Sequence, residues 1–140
     1  MKRFNLNLSE LDIIVNEIES ALPRGGIVIL EGDLAAGKTS LTQAFAKHLG
    51  EVGVVTSPTF SLQQSYGDKL FHYDLYNKGL ENFLSLGLLE ELERKGYHLI
   101  EWGDESLFEF LISAGMKSIH IHIEKDDTRR TYTMKEAINA

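Results

Sequence analysis

Residues 27–39 read IVILEGDLAAGKT, and this stretch decides the fold class of the chain. Its first four residues are aliphatic without a break, a pattern typical of a strand that is buried on both faces of a sheet. After Glu31, the eight residues from Gly32 to Thr39 satisfy the phosphate-loop pattern G-x-x-x-x-G-K-[ST]. A helix is predicted to follow at once, over residues 38–49. A buried strand, a glycine-rich loop and a helix in this order predict an α/β protein that binds a nucleotide.

The residue types in this loop each have a chemical reason for their positions. Glycines let the backbone curl so that successive N–H groups point inward at phosphate oxygens. Lys38 adds a positive charge at the β- and γ-phosphates, and the N-terminus of the following helix adds its dipole. Thr39 offers a hydroxyl to the Mg²⁺ that accompanies a nucleotide. The predicted nucleotide-binding residues are Gly32, Asp33, Leu34, Ala35, Ala36, Gly37, Lys38, Thr39 and Ser40.

The rest of the chain alternates predicted strands and helices. Apolar and alternating patterns predict strands at 4–8, 27–30, 52–55, 60–66, 70–73, 97–100, 119–123 and 128–134. Period-3.6 patterns predict helices at 9–22, 38–49, 81–95 and 105–113, the first opened by Ser9 and the third broken near Gly87. This alternation predicts a three-layer P-loop NTPase-type α/β sheet, mostly parallel, with antiparallel hairpin additions. We expect residues 1–140 to form a single domain.

Composition and charge exclude several classes of protein. Of the 140 residues, 43% are hydrophobic and 25% are charged, which is ordinary for a globular protein. The formal charge of −7 disfavours direct binding to DNA or tRNA through the protein's own field. The absence of cysteine excludes disulfides, thiolate catalysis and thiolate metal sites. We expect neither a signal peptide nor a membrane span, and therefore a cytoplasmic location.

Two acidic residues stand at the ends of apolar strands. Asp74 follows the strand at 70–73, and Glu101 follows the strand at 97–100. Because the carboxyl ends of parallel strands meet at the edge that holds the phosphate loop, either carboxylate could bind Mg²⁺ or orient a water. An ordinary solvated acid at a strand end is the alternative for each. Thr59 lies on a predicted turn that either approaches the γ-phosphate or carries an ordinary turn hydroxyl.

Histidines 120 and 122 share one face of a predicted strand. Two histidines at this spacing could bind a metal, but no third ligand lies at convincing spacing. We therefore expect both side chains on a solvated sheet face.

The sequence also bears on the kind of nucleotide protein. Residues 77–80 read NKGL and lack the aspartate of the guanine-specific pattern N-K-x-D, so guanine is not supported. A small-molecule kinase usually closes an arginine-bearing lid over the phosphates, and no arginine lies between Thr39 and Glu93. A kinase and a nucleotide-gated binding module without significant hydrolysis both remain open as alternatives.

Four segments together resemble the TsaE (YjeE) family: LEGDLAAGKT at 30–39, SPTF at 57–60, HYDLY at 72–76 and IEW at 100–102. Its members are small bacterial ATPases that support threonylcarbamoylation of the anticodon-adjacent adenosine in tRNAs reading codons that begin with A. The resemblance implies ATP and Mg²⁺ as cofactors. It also implies TsaD and TsaB as partners: TsaD transfers the threonylcarbamoyl group, and the family member resets the assembly with ATP.

The resemblance further implies roles for single residues. Thr39 and Glu101 would ligate Mg²⁺, and Asp74 would be the acidic residue that serves hydrolysis. Thr59 would sense the γ-phosphate. Glu101, Asp74 and Thr59 are therefore the predicted catalytic residues.

Two more positions are implied to lie near the nucleotide, and two depart from the family's pattern. Trp102 would neighbour the nucleotide, and Arg129 resembles a position on the adenine side. The family usually has glycine where Ala35 stands and arginine where Asn77 stands, but neither change removes a phosphate or metal ligand. Because no arginine is expected near the phosphate loop, we predict slow hydrolysis by the chain alone, and contact with tRNA only through partners.

Overall fold

The computed structural model describes residues 1–33, 37–51, 53, 55–56, 62–75 and 79–137. The predictions for Leu34, Ala35, Ala36, Thr59 and Asn77 therefore lie outside the described residues. The strands are β1 (Lys2–Leu6), β2 (Gly25–Glu31), β3 (Val55–Thr56), β4 (Gln63–Tyr66), β5 (Leu70–Asp74), β6 (Gly96–Glu101), β7 (Ser118–Asp126) and β8 (Arg129–Ala137). The helices are α1 (Leu11–Ala21), α2 (Lys38–His48), α3 (Gly79–Ser85), α4 (Leu88–Glu91) and α5 (Glu105–Ser113).

The described strands form one eight-stranded sheet in the order β1-β8-β7-β2-β6-β5-β4-β3. Its centre, β7-β2-β6-β5, is parallel. The flanking strands pair antiparallel, β8 and β1 on one side and β4 and β3 on the other. The predicted parallel sheet with antiparallel additions is confirmed. The apolar run of β2 is explained by its position, since it has a strand on each side and helices on both faces.

Helices cover the sheet on both sides and give it two separate cores. One core packs α1 and α2 against the face that carries Val28 and Leu30. The other packs α3, α4 and α5 against the face that carries Ile27 and Ile29. All four of these β2 side chains are at most 2% exposed. The predicted three layers are therefore present, and the loop after β2 emerges at the carboxyl edge of the parallel strands.

The beginning of the first helix differs from the prediction. Asn7, not Ser9, is the capping residue: its Oδ1 accepts from the Ser9 N–H at 3.0 Å, and Glu10 Oε1 accepts from the Asn7 N–H at 3.0 Å. The capped turn, Leu8–Glu10, is a 3-10 helix, and α1 begins after it. Asparagine is as strong a cap as serine, and it comes first along the chain.

The third predicted helix is shorter than expected. It breaks at Gly87, which has the left-handed φ of 75°, as its glycine predicted. Its second half, α4, ends at Glu91 rather than near residue 95. The Arg94 carbonyl instead accepts a hydrogen bond from His98 Nε2 at 2.8 Å, a tertiary contact that local helix patterns do not reveal.

The predicted solvated face of β7 is wrong for one of its two histidines. His120 is 4% exposed. Its Nε2 lies 2.7 Å from Glu31 Oε1, and its ring lies 5.5 Å from that of Phe108. Helix α5 covers this face of the strand, so the alternation of histidines with isoleucines along β7 does not divide it into a buried face and a solvent-exposed face.

Within the described part of the chain, no helix combines the length and the apolar character that crossing a membrane requires.

Candidate functional site

The phosphate loop is closed by its own lysine. Lys38, the first residue of α2, is 3% exposed. Its Nζ donates to the carbonyl oxygens of Gly32 at 2.6 Å and Asp33 at 2.8 Å, the two residues that follow β2. These bonds join the start of the loop to its end, so the ammonium group lies beside the carbonyl groups of Gly32 and Asp33.

The residue before helix α2 has a backbone conformation that favours glycine. Gly37, its N-cap, has φ of 102°, a left-handed conformation that side chains rarely adopt. A Cβ at this position would lie 3.7 Å from Arg130 Nε, an ordinary contact, so the backbone conformation rather than space requires glycine. The turn allows the chain to leave the loop and enter the helix with Lys38 pointing inward.

The two predicted carboxylates are adjacent in the sheet. Glu101 pairs in register with Leu30 of β2 and with Asp74 of β5. Its backbone is held on both sides, since its carbonyl accepts from the Leu75 N–H at 3.0 Å and the next residue's N–H donates to the Leu30 carbonyl at 3.0 Å. The carboxyl ends of three parallel strands thus bring the acids to the phosphate loop.

The structure brings the two predicted metal ligands together. Thr39 Oγ1 lies 3.4 Å from Glu101 Oε1. The Glu101 side chain is nearly buried, and its second oxygen, Oε2, contacts His72 Nε2. Glu101 therefore lies between the start of α2 and strand β5.

Burial and the neighbouring negative charges have opposite effects on the pKa of Lys38. Desolvation lowers the pKa of Lys38 below its ordinary value of 10.5, and the negative charges of Glu101, Asp33 and Asp74 only partly offset this effect. The three predicted acidic residues are therefore all close enough to act on the ammonium group. The site holds one lysine among several carboxylates.

Trp102 lies against the same lysine. Lys38 Nζ is 3.8 Å from the centroid of its ring, a cation–π contact. The Trp102 backbone has φ of 66°, a left-handed conformation that costs about 1–3 kcal/mol for a bulky residue. The following Gly103 is packed closely, since a Cβ there would lie 2.6 Å from Ile29 Cγ2. The turn after Glu101 is thus held in a strained shape that places the indole ring over the ammonium group.

A cavity of about 250 Å³ opens beside these groups. Its lining residues are Leu8, Gly37, Lys38, Thr39, Ser40, Glu101 and Arg130. Five of the seven belong to the predicted site. Arg130 and Leu8 were not predicted.

Arg129 lies elsewhere. Its guanidinium donates to the Asn5 carbonyl at 2.8 Å and to Glu10 Oε1 at 3.2 Å. Its role near adenine stays a prediction, while the neighbouring Arg130 lines the cavity. The expectation that no arginine lies near the phosphate loop is wrong, because β8 brings Arg130 there from the far end of the chain. Strand periodicity could have indicated this position. Arg130 lies two and four residues before Tyr132 and Met134 and so shares their face of β8, and both of these side chains are buried on the α2 side of the sheet.

The donor set suits Mg²⁺. A threonine hydroxyl and a glutamate carboxylate are hard oxygen ligands, the kind that this ion takes from proteins together with waters and substrate phosphates. Among the residues that the structure describes, no three or more His, Cys, Asp or Glu side chains are grouped so as to hold a metal ion. The pair Thr39 and Glu101 therefore fits an ion that also binds phosphates rather than one held by the protein alone.

This fold and this site define an α/β protein with a phosphate loop at the carboxyl edge of its parallel strands. A family model described as "Threonylcarbamoyl adenosine biosynthesis protein TsaE" matches residues 6–132. The chain belongs to the TsaE family, and the resemblance seen in four sequence segments is confirmed.

Individual relatives agree with this assignment. The Bacillus subtilis tRNA threonylcarbamoyladenosine biosynthesis protein TsaE is 37% identical over 105 residues, which cover 73% of this chain and 66% of that protein. The Rickettsia felis protein of the same name is 32% identical, with 88% of this chain and 73% of that protein covered. The crystal structure of Bacillus subtilis YdiB aligns with a TM-score of 0.64 and 30% identity, covering 99% of this chain and 88% of that one. The match to the first of these relatives spans just under two thirds of its length.

Proposed function

We propose that this chain is an ATP-binding and ATP-hydrolysing accessory protein of tRNA threonylcarbamoyladenosine biosynthesis that acts with TsaD and TsaB. Membership of the TsaE family supports the pathway. The observation that carries the ATP part is the geometry of Lys38, whose Nζ joins the first two residues of the phosphate loop to the start of α2, where Thr39 pairs with Glu101. Contact with tRNA is proposed to run through the partners, because the chain itself carries a net charge of −7.

In this proposal the loop holds the phosphates. The backbone N–H groups of the loop and the start of α2 bind phosphate oxygens, and Lys38 exchanges its carbonyl partners for them. Thr39 and Glu101 would hold Mg²⁺, which neutralises charge on the phosphates when bound. Arg130 adds a second cation at the cavity, and the Trp102 ring shields Lys38 from solvent.

Hydrolysis then needs a positioned water. A water oxygen attacks the γ-phosphorus, the bond to the ADP oxygen breaks, and ADP leaves with that electron pair. Asp74, next to Glu101 in the sheet, directs the water and accepts its proton. Thr59 would sense the γ-phosphate in the same step, as its family position suggests.

The chain alone is proposed to hydrolyse ATP slowly. Arg130 already supplies a cation from within the chain. Any increase in the hydrolysis rate on adding the partners therefore reflects further charge, or better positioning of the water, that the partners contribute. Charge supplied by a partner is worth about 10³–10⁵ in rate for other phosphate-loop proteins.

The test is steady-state ATP hydrolysis by the chain, alone and with the TsaB–TsaD pair of the same organism. We expect a slow basal rate that rises at least about tenfold with the pair, and no hydrolysis by Lys38→Ala in either condition. ATP binding without hydrolysis in both conditions would favour the binding module. A phosphorylated product from a panel of metabolites would favour the kinase. Either result would contradict the proposal.

A further inference from the structure

We propose that His72 is a positioning residue that holds the Glu101 carboxylate in the orientation that binds Mg²⁺. This inference rests on the proposed function, since it assigns a partner to the residue proposed as a metal ligand. His72 would touch neither the nucleotide nor the ion. It would act through Glu101 alone.

The position of His72 follows from strand geometry. It lies on β5 two residues before Asp74, so both side chains leave the same face of the sheet. In the parallel register with β6, His72 is opposite Leu99 and Asp74 is opposite Glu101. The imidazole therefore lies two residues further from the carboxyl edge of the sheet than the Glu101 carboxylate, on the face that α2 covers.

The two oxygens of Glu101 have different partners. Oε2 contacts His72 Nε2, and Oε1 lies 3.4 Å from Thr39 Oγ1. An ionised carboxylate can only accept hydrogen bonds, so Nε2 is the donor. The Thr39 contact is long for a hydroxyl donor, and His72 is therefore the stronger hold on the side chain.

The rest of the imidazole has no comparable polar contact. His72 is 9% exposed, and its Nδ1 has no hydrogen-bond partner among the described residues. A buried polar ring with one unsatisfied nitrogen is worse for packing than an apolar side chain of its size. His98, on the neighbouring strand, is bonded through both nitrogens. The polar character of His72 is thus explained by its bond to Glu101.

Residues that fix a ligating carboxylate affect metal binding more than they affect the fold. Their loss typically costs about 10–100-fold in metal affinity or activity. Without His72, the long Thr39 contact is the hydrogen bond that remains to the Glu101 side chain within the described part of the chain, and the carboxylate can turn away. The hydrogen bonds of Lys38 go to Gly32 and Asp33, and that of His72 goes to Glu101, so binding of ATP without metal should be retained.

The experiment compares His72→Leu, which removes the donor, with His72→Gln, whose amide reaches the position of Nε2. ATP affinity of the full chain is measured across a Mg²⁺ titration and again with excess chelator. Mn²⁺ binding in the presence of ATP, followed by electron paramagnetic resonance, gives a readout independent of activity. His98→Gln is the matched control, because it alters a buried histidine of the neighbouring strand on the opposite face. Thermal unfolding of each variant checks the fold. If His72→Leu does not fold, it is replaced by His72→Asn, whose shorter amide does not reach the position of Nε2.

We expect His72→Leu or His72→Asn to raise the Mg²⁺ concentration for half-maximal effect at least about tenfold, with metal-free ATP affinity within about twofold of wild type. His72→Gln should stay within about threefold of wild type, and His98→Gln should not change the Mg²⁺ dependence. Unchanged Mg²⁺ dependence in His72→Leu, or in the His72→Asn that replaces it, overturns the inference alone, as does an equal loss in His72→Gln. A wild-type chain that binds no ATP, or binds it without regard to Mg²⁺, contradicts the proposed function and the inference together.

Discussion

Two clusters of polar side chains, most of them buried, lie on opposite faces of the same parallel strands. The phosphate-loop cluster, on the α2 face, consists of Lys38, Thr39, His72 and Glu101. The Tyr73 cluster, on the face that α3, α4 and α5 cover, consists of Gln63, Tyr73, Glu91 and His98. Strand β5 contributes His72 to one cluster and Tyr73 to the other, and β6 contributes Glu101 and His98, so the clusters differ in chemistry rather than in the strands that carry them.

The Tyr73 cluster satisfies itself. The Tyr73 hydroxyl donates to His98 Nδ1 at 2.7 Å, and Gln63 Nε2 donates to that hydroxyl at 3.2 Å and to Glu91 Oε1 at 2.9 Å. His98 Nε2 donates to the Arg94 carbonyl at 2.8 Å. Donors and acceptors are matched, which is the arrangement that stabilises a fold.

The phosphate-loop cluster is less self-contained. Its lysine uses backbone carbonyls, its threonine contact is long, and the Nδ1 of its histidine has no partner among the described residues. Buried polar groups therefore serve stability where they hydrogen-bond to one another. Where the hydrogen bonds are long or go to backbone carbonyls, the polar groups are suited to bind a ligand.

The largest expected effect is the loss of ATP binding in Lys38→Ala. Charged hydrogen bonds contribute about 1.5–3 kcal/mol each, and Lys38 has several to give, so affinity should fall about 1,000-fold. Calorimetric titration with ATP measures this loss. Lys95→Ala, exposed at the opposite edge of the sheet, should bind as wild type does. A Lys38→Ala chain with affinity within fivefold of wild type would contradict the role of the loop.

Asp74→Asn and Glu101→Gln should impair turnover more than binding. Each removes a charge at the strand ends while keeping the size of the side chain, and we expect kcat in the partner complex to fall about 100-fold. ATP affinity should change less than about tenfold. Steady-state kinetics checks this, with Asp68→Asn in the exposed β4–β5 turn as the control. If both variants hydrolyse ATP as wild type does, neither carboxylate serves the reaction.

The adjacent arginines of β8 offer a matched pair. Arg130→Ala removes a cation from the cavity and should weaken ATP binding about tenfold. Arg129→Ala breaks contacts with Asn5 and Glu10 outside the cavity lining and should change affinity less than about twofold. A larger loss of ATP affinity in Arg129→Ala than in Arg130→Ala would indicate that Arg129, and not Arg130, contacts the nucleotide.

Tyr73→Phe breaks the other cluster and should affect stability alone. It leaves His98 Nδ1 without its donor and Gln63 Nε2 with Glu91 in place of two acceptors, at a cost of about 1–2 kcal/mol in the free energy of unfolding. Tyr132→Phe is the control, because the buried Tyr132 hydroxyl has no hydrogen-bond partner among the described residues and its removal should be neutral or stabilising. Thermal unfolding distinguishes the two variants, and ATP affinity should be unchanged in both. Equal destabilisation would show that the cluster's bonds add nothing.

The smallest expected effect is on pH dependence. Burial lowers the pKa of His98 below its usual 6.5. As pH falls below 6.5, the unfolded chain takes up a proton at this position that the folded chain does not, so stability falls with pH in that window. His98→Gln should remove this component, which a comparison of denaturant unfolding at pH 7.5 and about pH 5.5 detects. If the free energy of unfolding changes equally with pH in the wild type and in His98→Gln, the pH dependence arises from groups other than His98.

Much of the phosphate-loop cluster was predictable because its rules are local or belong to the fold class. The apolar run of β2, the glycines and the lysine of the loop follow one another in sequence. Asp74 and Glu101 were found because parallel strands deliver their carboxyl ends to one edge.

The parts that sequence did not predict depend on contacts between distant elements. Arg130 reaches Gly37 only because β8 pairs with β7, and the bond from His98 to Arg94 accompanies the early end of α4. His120 is buried because α5 lies over it. These features depend on which elements pack together, and local periodicity carries little of that information.

The most direct test of the site's role is multiple-turnover threonylcarbamoylation of tRNA by TsaB and TsaD, with either the wild-type chain or Lys38→Ala added. We predict that the wild-type chain supports repeated turnovers, whereas Lys38→Ala leaves the reaction at the level seen without the chain. Equal product formation with both would contradict an ATP-driven role for this phosphate loop.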